Sequence, residues 1–309
     1  MEIIVLKKET EKDMSNEAVT ALQMQKYIDK AKILIEALPF IQRFYDKTVV
    51  IKYGGSALIN PKIKDTLIKD IALMKLVGMH PVIVHGGGPD INAFLKKLDI
   101  QSEFINGLRV TDAETMQIVE MVLAGKLNKD IVTEIEMQGV KSVGISGKDG
   151  GILKAKKIEK DGVDYGCVGE VDFVDPSLIQ SLIKDGFIPV IAPIGKDENG
   201  ITYNINADYA AVAIAGALNA EKLVFLTDVE GVMEDVHKPD SIMSFIKAEK
   251  IQSLIDDGTI SGGMIPKVEC CMAAVEKGVN NVHILDGRVE HCLILEIFTD
   301  DGIGTMIQR

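Results

Sequence analysis

Six short runs rich in β-branched residues recur along the chain, and what lies between them restricts the possible folds more than any other feature. VVIKY (49–53), PVIVH (81–85), KSVGIS (141–146), FIPVIAPI (187–194), EKLVFLTD (221–228) and NNVHILD (280–286) have the nearly continuous apolar character of buried strands. The intervening stretches 61–77, 112–138, 206–219 and 265–278 space their apolar residues by three and four, the helical period. Such alternation predicts an α/β fold, a three-layer αβα sandwich around a largely parallel central sheet. The segment 151–172 departs from it, because GILKAKKI and GCVGEVDFV flank a DGVDYG turn and predict a β-hairpin excursion.

Residues 1–46 stand apart from this rhythm. From Ser15 the spacing of Val19, Leu22, Ile28, Leu34 and Leu38 suits an amphipathic helix, which Pro39 should end or kink. Having no sheet partner of its own, this helix reads either as one packed on its own chain or as one that docks on another subunit. At 309 residues the chain exceeds the usual size of a single core, which favours two lobes.

Composition excludes several classes of function. Only 34 Lys and Arg oppose 46 acidic residues, a net charge of −12, which is the wrong sign for non-specific nucleic-acid binding. No run of about 18 apolar residues occurs, so no membrane-spanning helix is expected. The opening MEIIVLKKETEKD has too short an apolar run for a secretory leader. Together with four cysteines lacking CxxC spacing (Cys167, Cys270, Cys271, Cys292), this points to reduced thiols in the cytoplasm and to no zinc site.

The strand ends carry the chemistry. VVIKYGGSAL threads Lys52 into a strand and follows it with Gly54 and Gly55; alone, that fits a strand ending in a turn with its lysine reaching solvent. HGGGPDI sets Gly86, Gly87 and Gly88 before a helix, where backbone amides and the helix N-terminus suit a carboxylate or phosphate, although a plain tight turn has the same sequence. GISGKDGG (144–151), LTDVEGV (226–232) and SGGMIPK (261–267) repeat the theme, and open α/β sheets bind ligands at the carboxyl ends of their strands. Neither a P-loop nor a full GxGxxG is present, and there is no GxSxG, no HExxH and no cluster among His80, His85, His237, His283 and His291. Lys52, Arg109 and Lys267 remain, each beside a glycine loop. Singly each reads as a solvated charge; together they match what phosphoryl transfer requires, positioning and neutralised charge.

In this order VVIKYGGSAL, HGGGPDI, NGLRVTD, GISGKDGG, ITYNINADYAA, LTDVEGV and SGGMIPKVECC closely resemble the amino acid kinase superfamily and, within it, the acetylglutamate kinase family, from about residue 31 to the C-terminus. The resemblance implies phosphorylation of the side-chain carboxylate of N-acetyl-L-glutamate by ATP with Mg²⁺, on the route to arginine. It implies that Lys52 and Lys267 stabilise the transferred phosphoryl group and that Asp208 sits between them and orients both. Arg109 and Asn204 would bind the acceptor, with amides of Gly86 and Gly87 around its reacting carboxylate. Gly54 and Gly55 would let amides approach the phosphates, and Asp228, Gly231, Gly262 and Met264 would hold the nucleotide; no protein metal site is implied beyond Mg²⁺ carried by ATP.

The N-terminal segment and HILDGRVEHCLILEIFTDDGIGTMI are similar to the arginine-inhibited branch of that family. That implies a hexamer, a trimer of dimers, interlaced through the N-terminal helix, with L-arginine bound near His283, Glu296 and Gly302. The implied division is an N-terminal extension at 1–46, an acceptor-binding and dimerisation lobe at 47–219 and a nucleotide lobe at 220–309. Another superfamily kinase is the near rival. A catalytically silent arginine- or nucleotide-sensing module on the same fold is the distant one, although a pure sensor has no need of both lysines.

Overall fold

The computed structural model describes residues 23–55, 60–160, 162–235, 238, 241–300 and 302–309. Two compact units divide the chain, Met1–Phe44 and Tyr45–Arg309. In the first, residues 23–36 are helical, the helix breaks at Ala37, and a second segment runs Leu38–Phe44. Pro39 lies in the first turn of that second segment, where its missing N–H leaves no bond unmade. The proline therefore kinks the helix instead of ending it. Ile33, Leu34 and Ile35 are 64%, 72% and 67% exposed. Ser15, Val19 and Leu22 of the expected helix lie outside the described residues.

The second unit contains, among the described residues, β1 (Thr48–Tyr53), β2 (His80–His85), β3 (Phe104–Ile105), β4 (Leu108–Arg109), β5 (Ser142–Ser146), β6 (Leu153–Lys160), β7 (Val163–Val174), β8 (Ile188–Ala192), β9 (Ile194–Lys196), β10 (Thr202–Ile205), β11 (Lys222–Thr227), β12 (Phe245–Lys247), β13 (Asn281–Asp286) and β14 (Thr305–Gln308). Each of the six runs picked out by its apolar character contributes a strand to one eight-stranded sheet, in the order β12-β14-β13-β11-β1-β2-β8-β5. From β13 to β5 every pairing is parallel, and β14 joins β13 antiparallel.

Strand periodicity sorts the side chains between two helical layers. Val50, Val82, Val84, Leu223, Phe225, Val282 and Ile284 share a core with Ala210, Ala211 and Ile214 of helix Ala207–Ala217 and with Val268, Cys271 and Ala274 of helix Ile265–Glu276. Lys52 lies two residues beyond Val50, so it points to the same face, the one covered by helix Ala207–Ala217.

Three features were not legible locally. FIPVIAPI is two strands, because Pro193 lacks an N–H for the ladder: β8 ends at Ala192 and β9 enters another sheet. The expected hairpin is β6 and β7, with Lys160 opposite Val163, but it closes with β9 and β10 into a four-stranded barrel. The expected helix 112–138 runs as Ala113–Glu120 and Asn128–Glu136 joined by a π-helical segment, Met121–Leu127.

Candidate active site

The lysine of β1 is held by a carboxylate. Lys52 Nζ lies 2.9 Å from Asp208 Oδ1, with the lysine side chain 14% exposed. Asp208 occupies the first turn of helix Ala207–Ala217, whose N-cap Asn206 accepts from the Asp208 N–H at 2.8 Å. Gly54 explains the spacing after the lysine: a Cβ there would stand 3.1 Å from Lys52 Nζ and 3.2 Å from Cε. Gly55 has φ +65°, the left-handed region, with open space around the missing side chain. Parallel pairing of β1 with β2 brings the second glycine turn alongside, and Gly86 N donates to Tyr53 O at 2.8 Å. Of the two amides expected at the acceptor, that of Gly86 is therefore engaged by the sheet.

Arg109 reaches this turn from a hairpin. β3 and β4 pair antiparallel around Asn106 and Gly107, both at positive φ (50° and 78°), the Asn-Gly pattern of a type I′ turn. The guanidinium stacks on Phe104 at 4.5 Å, donates to Ser102 Oγ and donates to Gly88 O at 3.4 Å. Burial pulls its pKa down from the usual guanidinium value. Asn204 on β10 donates to Thr111 Oγ1 at 3.4 Å, and that hydroxyl donates to Arg109 O at 2.8 Å. Arg109, Asn204 and the glycine turn are thus joined through Thr111 and Gly88. Ser102, Phe104 and Thr111, which support them, had not been singled out; the Asn-Gly dipeptide was the available signal.

A cavity of about 540 Å³ opens beside Lys267 and is lined also by Asp228, Gly231, Gly263, Met264 and Arg288. Gly262, at φ +57°, begins the short 3₁₀ turn Gly262–Met264 that leads into the helix of Lys267, with open space where its side chain would be. Gly231 is obligatory at φ +156°, since a Cβ would fall 2.7 Å from Thr305 Oγ1. Arg288, not foreseen, is held on Asp286 by two 2.8 Å bonds from Nε and Nη2. Lys267 differs from expectation: among the described residues Asp208 pairs with Lys52 and makes no ion pair with Lys267. Both lysines and Asp208 nonetheless act on one nearby thiol. The Cys270 thiol, one turn after Lys267, is pushed up to about 12 by burial and then by Asp208 and Glu269, with Lys267 and Lys52 acting against them. A larger cavity, about 880 Å³ beside Phe173 and Tyr209, includes none of the expected site residues.

His283, Glu296 and Gly302 meet elsewhere. His283 on β13 has Nδ1 2.7 Å from Glu296 Oε1 and Nε2 2.9 Å from Lys222 Nζ. Glu296 Oε2 accepts from Ile303 N at 3.0 Å, and a Cβ on Gly302, at φ +63°, would lie 2.8 Å from that oxygen. Burial lowers the pKa of His283, leaving a neutral ring between a lysine and a carboxylate. Lys222 is the member of this group that the sequence patterns passed over.

Four cysteines are free, and among the described residues no cluster of three or more His, Cys, Asp or Glu could hold a metal ion. No helix among the described residues is long and apolar enough to cross a membrane.

A model of the amino acid kinase family matches residues 47–286. The acetylglutamate kinase of Heliobacterium modesticaldum is 54% identical over 295 residues, 93% of this chain and 100% of that relative. That of Caldanaerobacter subterraneus subsp. tengcongensis is 58% identical over 280 residues, 91% of this chain and 93% of that relative. Among solved structures, N-acetylglutamate synthase from Neisseria gonorrhoeae with coenzyme A and N-acetyl-glutamate matches with a TM-score of 0.79 at 27% identity, over 90% of this chain and 63% of that one. The same synthase with coenzyme A and L-arginine matches with a TM-score of 0.74 at 27% identity, over 90% and 65%.

Proposed function

We infer the reaction from one premise: the chain belongs to the amino acid kinase family, within which it groups with the acetylglutamate kinases. It is a kinase, using ATP, and its acceptor is the side-chain carboxylate of N-acetyl-L-glutamate, in arginine biosynthesis. The observation that carries this reading is the Lys52–Asp208 pair, 2.9 Å apart, beside glycine turns at the carboxyl ends of adjacent parallel strands. A carboxylate with a reference pKa of about 4.3 is already ionised at neutral pH, so its oxygen attacks without a general base. The new bond joins that oxygen to the γ-phosphorus, and the bond to the bridging oxygen breaks as ADP leaves with the electron pair. What the site must supply is relief of repulsion between two anions.

Lys52 supplies positive charge to the phosphoryl group in transfer, and Asp208 fixes its direction. Lys267, at the mouth of the 540 Å³ cavity, serves the nucleotide side together with Asp228, Gly231, Gly262 and Met264. Gly54 and Gly55 leave room for the phosphates. Arg109 and Asn204 bind the carboxylate and acetamido ends of the acceptor, and Gly87 presents an amide to its reacting carboxylate. The open backbone at Gly262 and Gly263, next to Lys267 and Arg288, fits a polyphosphate, with Mg²⁺ carried on ATP itself. The division into an acceptor lobe at 47–219 and a nucleotide lobe at 220–309, and a cytoplasmic location, belong to the same proposal.

L-Arginine is the proposed feedback inhibitor, held near His283, Glu296 and Gly302, where a buried carboxylate offers a guanidinium partner. The related synthase has been solved with L-arginine, which supports a site of this chemistry in a similar fold. The exposed Ile33, Leu34 and Ile35 support a hexamer interlaced through the N-terminal helix. One assay tests chemistry and regulation separately: acyl phosphate trapped with hydroxylamine, with and without N-acetyl-L-glutamate, at zero and millimolar L-arginine. Hydroxamate that requires the acceptor and falls with arginine is expected. Hydroxamate insensitive to arginine removes the regulatory reading alone, and none with this acceptor overturns the reaction.

A further inference from the structure

Behind the glycine turn lies a buried polar chain that the reaction outlined above does not use. Asn128, fully buried, donates its Nδ2 to Val190 O at 2.9 Å and to Ile145 O at 3.3 Å, while its Oδ1 accepts from Lys129 Nζ at 3.0 Å. Two carbonyls on one side and an ammonium on the other determine which end of the amide is which. The same Nδ2 faces His85 Nε2 at 3.2 Å; of its two hydrogens one serves Val190 O and the other is shared between Ile145 O and this ring nitrogen, which therefore accepts, leaving the ring proton on Nδ1. His85 Nδ1 then donates to Gly86 O at 2.8 Å. The ring is fully buried, and burial pulls its pKa down to about 4, which keeps it in this neutral form at neutral pH.

A trans peptide points its C=O and the following N–H in opposite directions. Gly86 O is drawn toward His85, so the next N–H, that of Gly87, points away from the imidazole. Gly86 N, in the preceding peptide, is held by Tyr53 O, so Gly86 is fixed on both sides of its Cα. The π-helical segment makes the arrangement possible. Its i→i+5 bond runs from Asn128 N–H to Leu123 O. Leu123 and Leu127 pack so closely on Gly87 that a Cβ there would fall 2.4 and 2.9 Å from their methyls, while Asn128 reaches His85. Gly144 makes room for the amide, since its Cβ would overlap Asn128 Oδ1 at 1.8 Å.

We propose that His85, held as its Nδ1–H tautomer by Asn128, is a positioning residue that locks the Gly86–Gly87 peptide with the Gly87 amide facing the acceptor carboxylate. This rests on the kinase reading for what the amide serves, and on geometry alone for the tautomer and the peptide.

The test compares His85→Gln, which replaces Nε2 but not Nδ1, with His85→Asn, which restores a donor near Nδ1, and with Asn128→Asp, which reverses the demand on Nε2. Steady-state hydroxamate assays are expected to show kcat down roughly 10- to 100-fold for His85→Gln and Asn128→Asp, the scale of losing a group that orients another, and less than the roughly 10²- to 10³-fold of removing an oxyanion donor outright. The KM for ATP should stay within about twofold, and His85→Asn should recover most of kcat. A purely structural role would instead lower the thermal midpoint and impair all three alike. Independently of turnover, ¹⁵N NMR of the imidazole should report Nδ1–H in the parent and Nε2–H in Asn128→Asp, and the Gly87 amide resonance should move when N-acetyl-L-glutamate is added. An Nε2–H tautomer in the parent, or full kcat in His85→Gln, overturns the proposal. If the parent makes no acyl phosphate yet shows the Nδ1–H form, the kinase reading fails while the locked peptide stands.

Discussion

At Gly54 the missing side chain is what allows Lys52 to fold back toward Asp208. The residue does not adopt a positive φ, so alanine is allowed by the backbone, and the 3.1 Å approach to Lys52 Nζ makes the effect of a methyl group local. Gly54→Ala should lower kcat by at least about tenfold through displacement of the ammonium, with the thermal midpoint little changed; activity assays beside calorimetry check it. Asp208→Asn keeps the shape but removes the partner charge. It should lower kcat by roughly 10²-fold while ATP affinity, read by nucleotide titration, changes little, because Lys267 is not ion-paired to Asp208.

At the scale of elements, the hairpin of β3 and β4 carries Arg109 as a lever whose angle is set by its turn. Gly107, at φ +78°, has nothing near its missing side chain, so the penalty of Gly107→Ala is conformational, about 1 kcal/mol. Splaying that turn moves Arg109 relative to Gly88 O without touching the nucleotide side. The expected result is a KM for N-acetyl-L-glutamate raised several-fold with the KM for ATP unchanged, read from initial rates with each substrate varied. The π-helical segment is the other element whose form has a use. A regular α-helix through 113–136 would carry Asn128 away from His85, and the run MVLAGKL contains no proline or other local marker of the extra residue per turn.

For the molecule as a whole, buried neutral histidine predicts acid sensitivity. The unfolded chain binds a proton at His85 near pH 6.5, whereas the folded chain does so only near 4. The unfolded state therefore holds more protons between those values, so stability rises with pH across the window and is lost as pH falls through it, by about 1.4 kcal/mol per pH unit and about 3 kcal/mol in all. His283, lowered by burial, acts in the same direction, while Asp70, whose carboxyl is raised by burial beside His291, opposes them at the acid end. Urea unfolding at pH 7 and pH 5 should show the loss, and His85→Asn should flatten it.

Periodicity and strand-end glycines sufficed, from sequence, for the parallel sheet and the two glycine turns, because each follows from short-range sterics or from the two-residue repeat of a strand, whereas the nearness of Asp208 to Lys52 came from the resemblance alone. The resemblance added which substrate those groups serve. Other features depend on residues far apart in the chain and had no local signature: closure of β6, β7, β9 and β10 into a barrel, the π turn over Gly87, and the Tyr53–Gly86, His85–Asn128 and Lys222–His283–Glu296 contacts. His85 shows the division most plainly. Among five histidines without a cluster it carried no signal, and Gly86 O on one side with Asn128 on the other, the latter oriented by carbonyls 62 and 17 residues away at Val190 and Ile145, decides which of its nitrogens carries the proton. A hydrogen bond's direction is set by all the partners a buried group meets, and those partners are chosen by the tertiary structure.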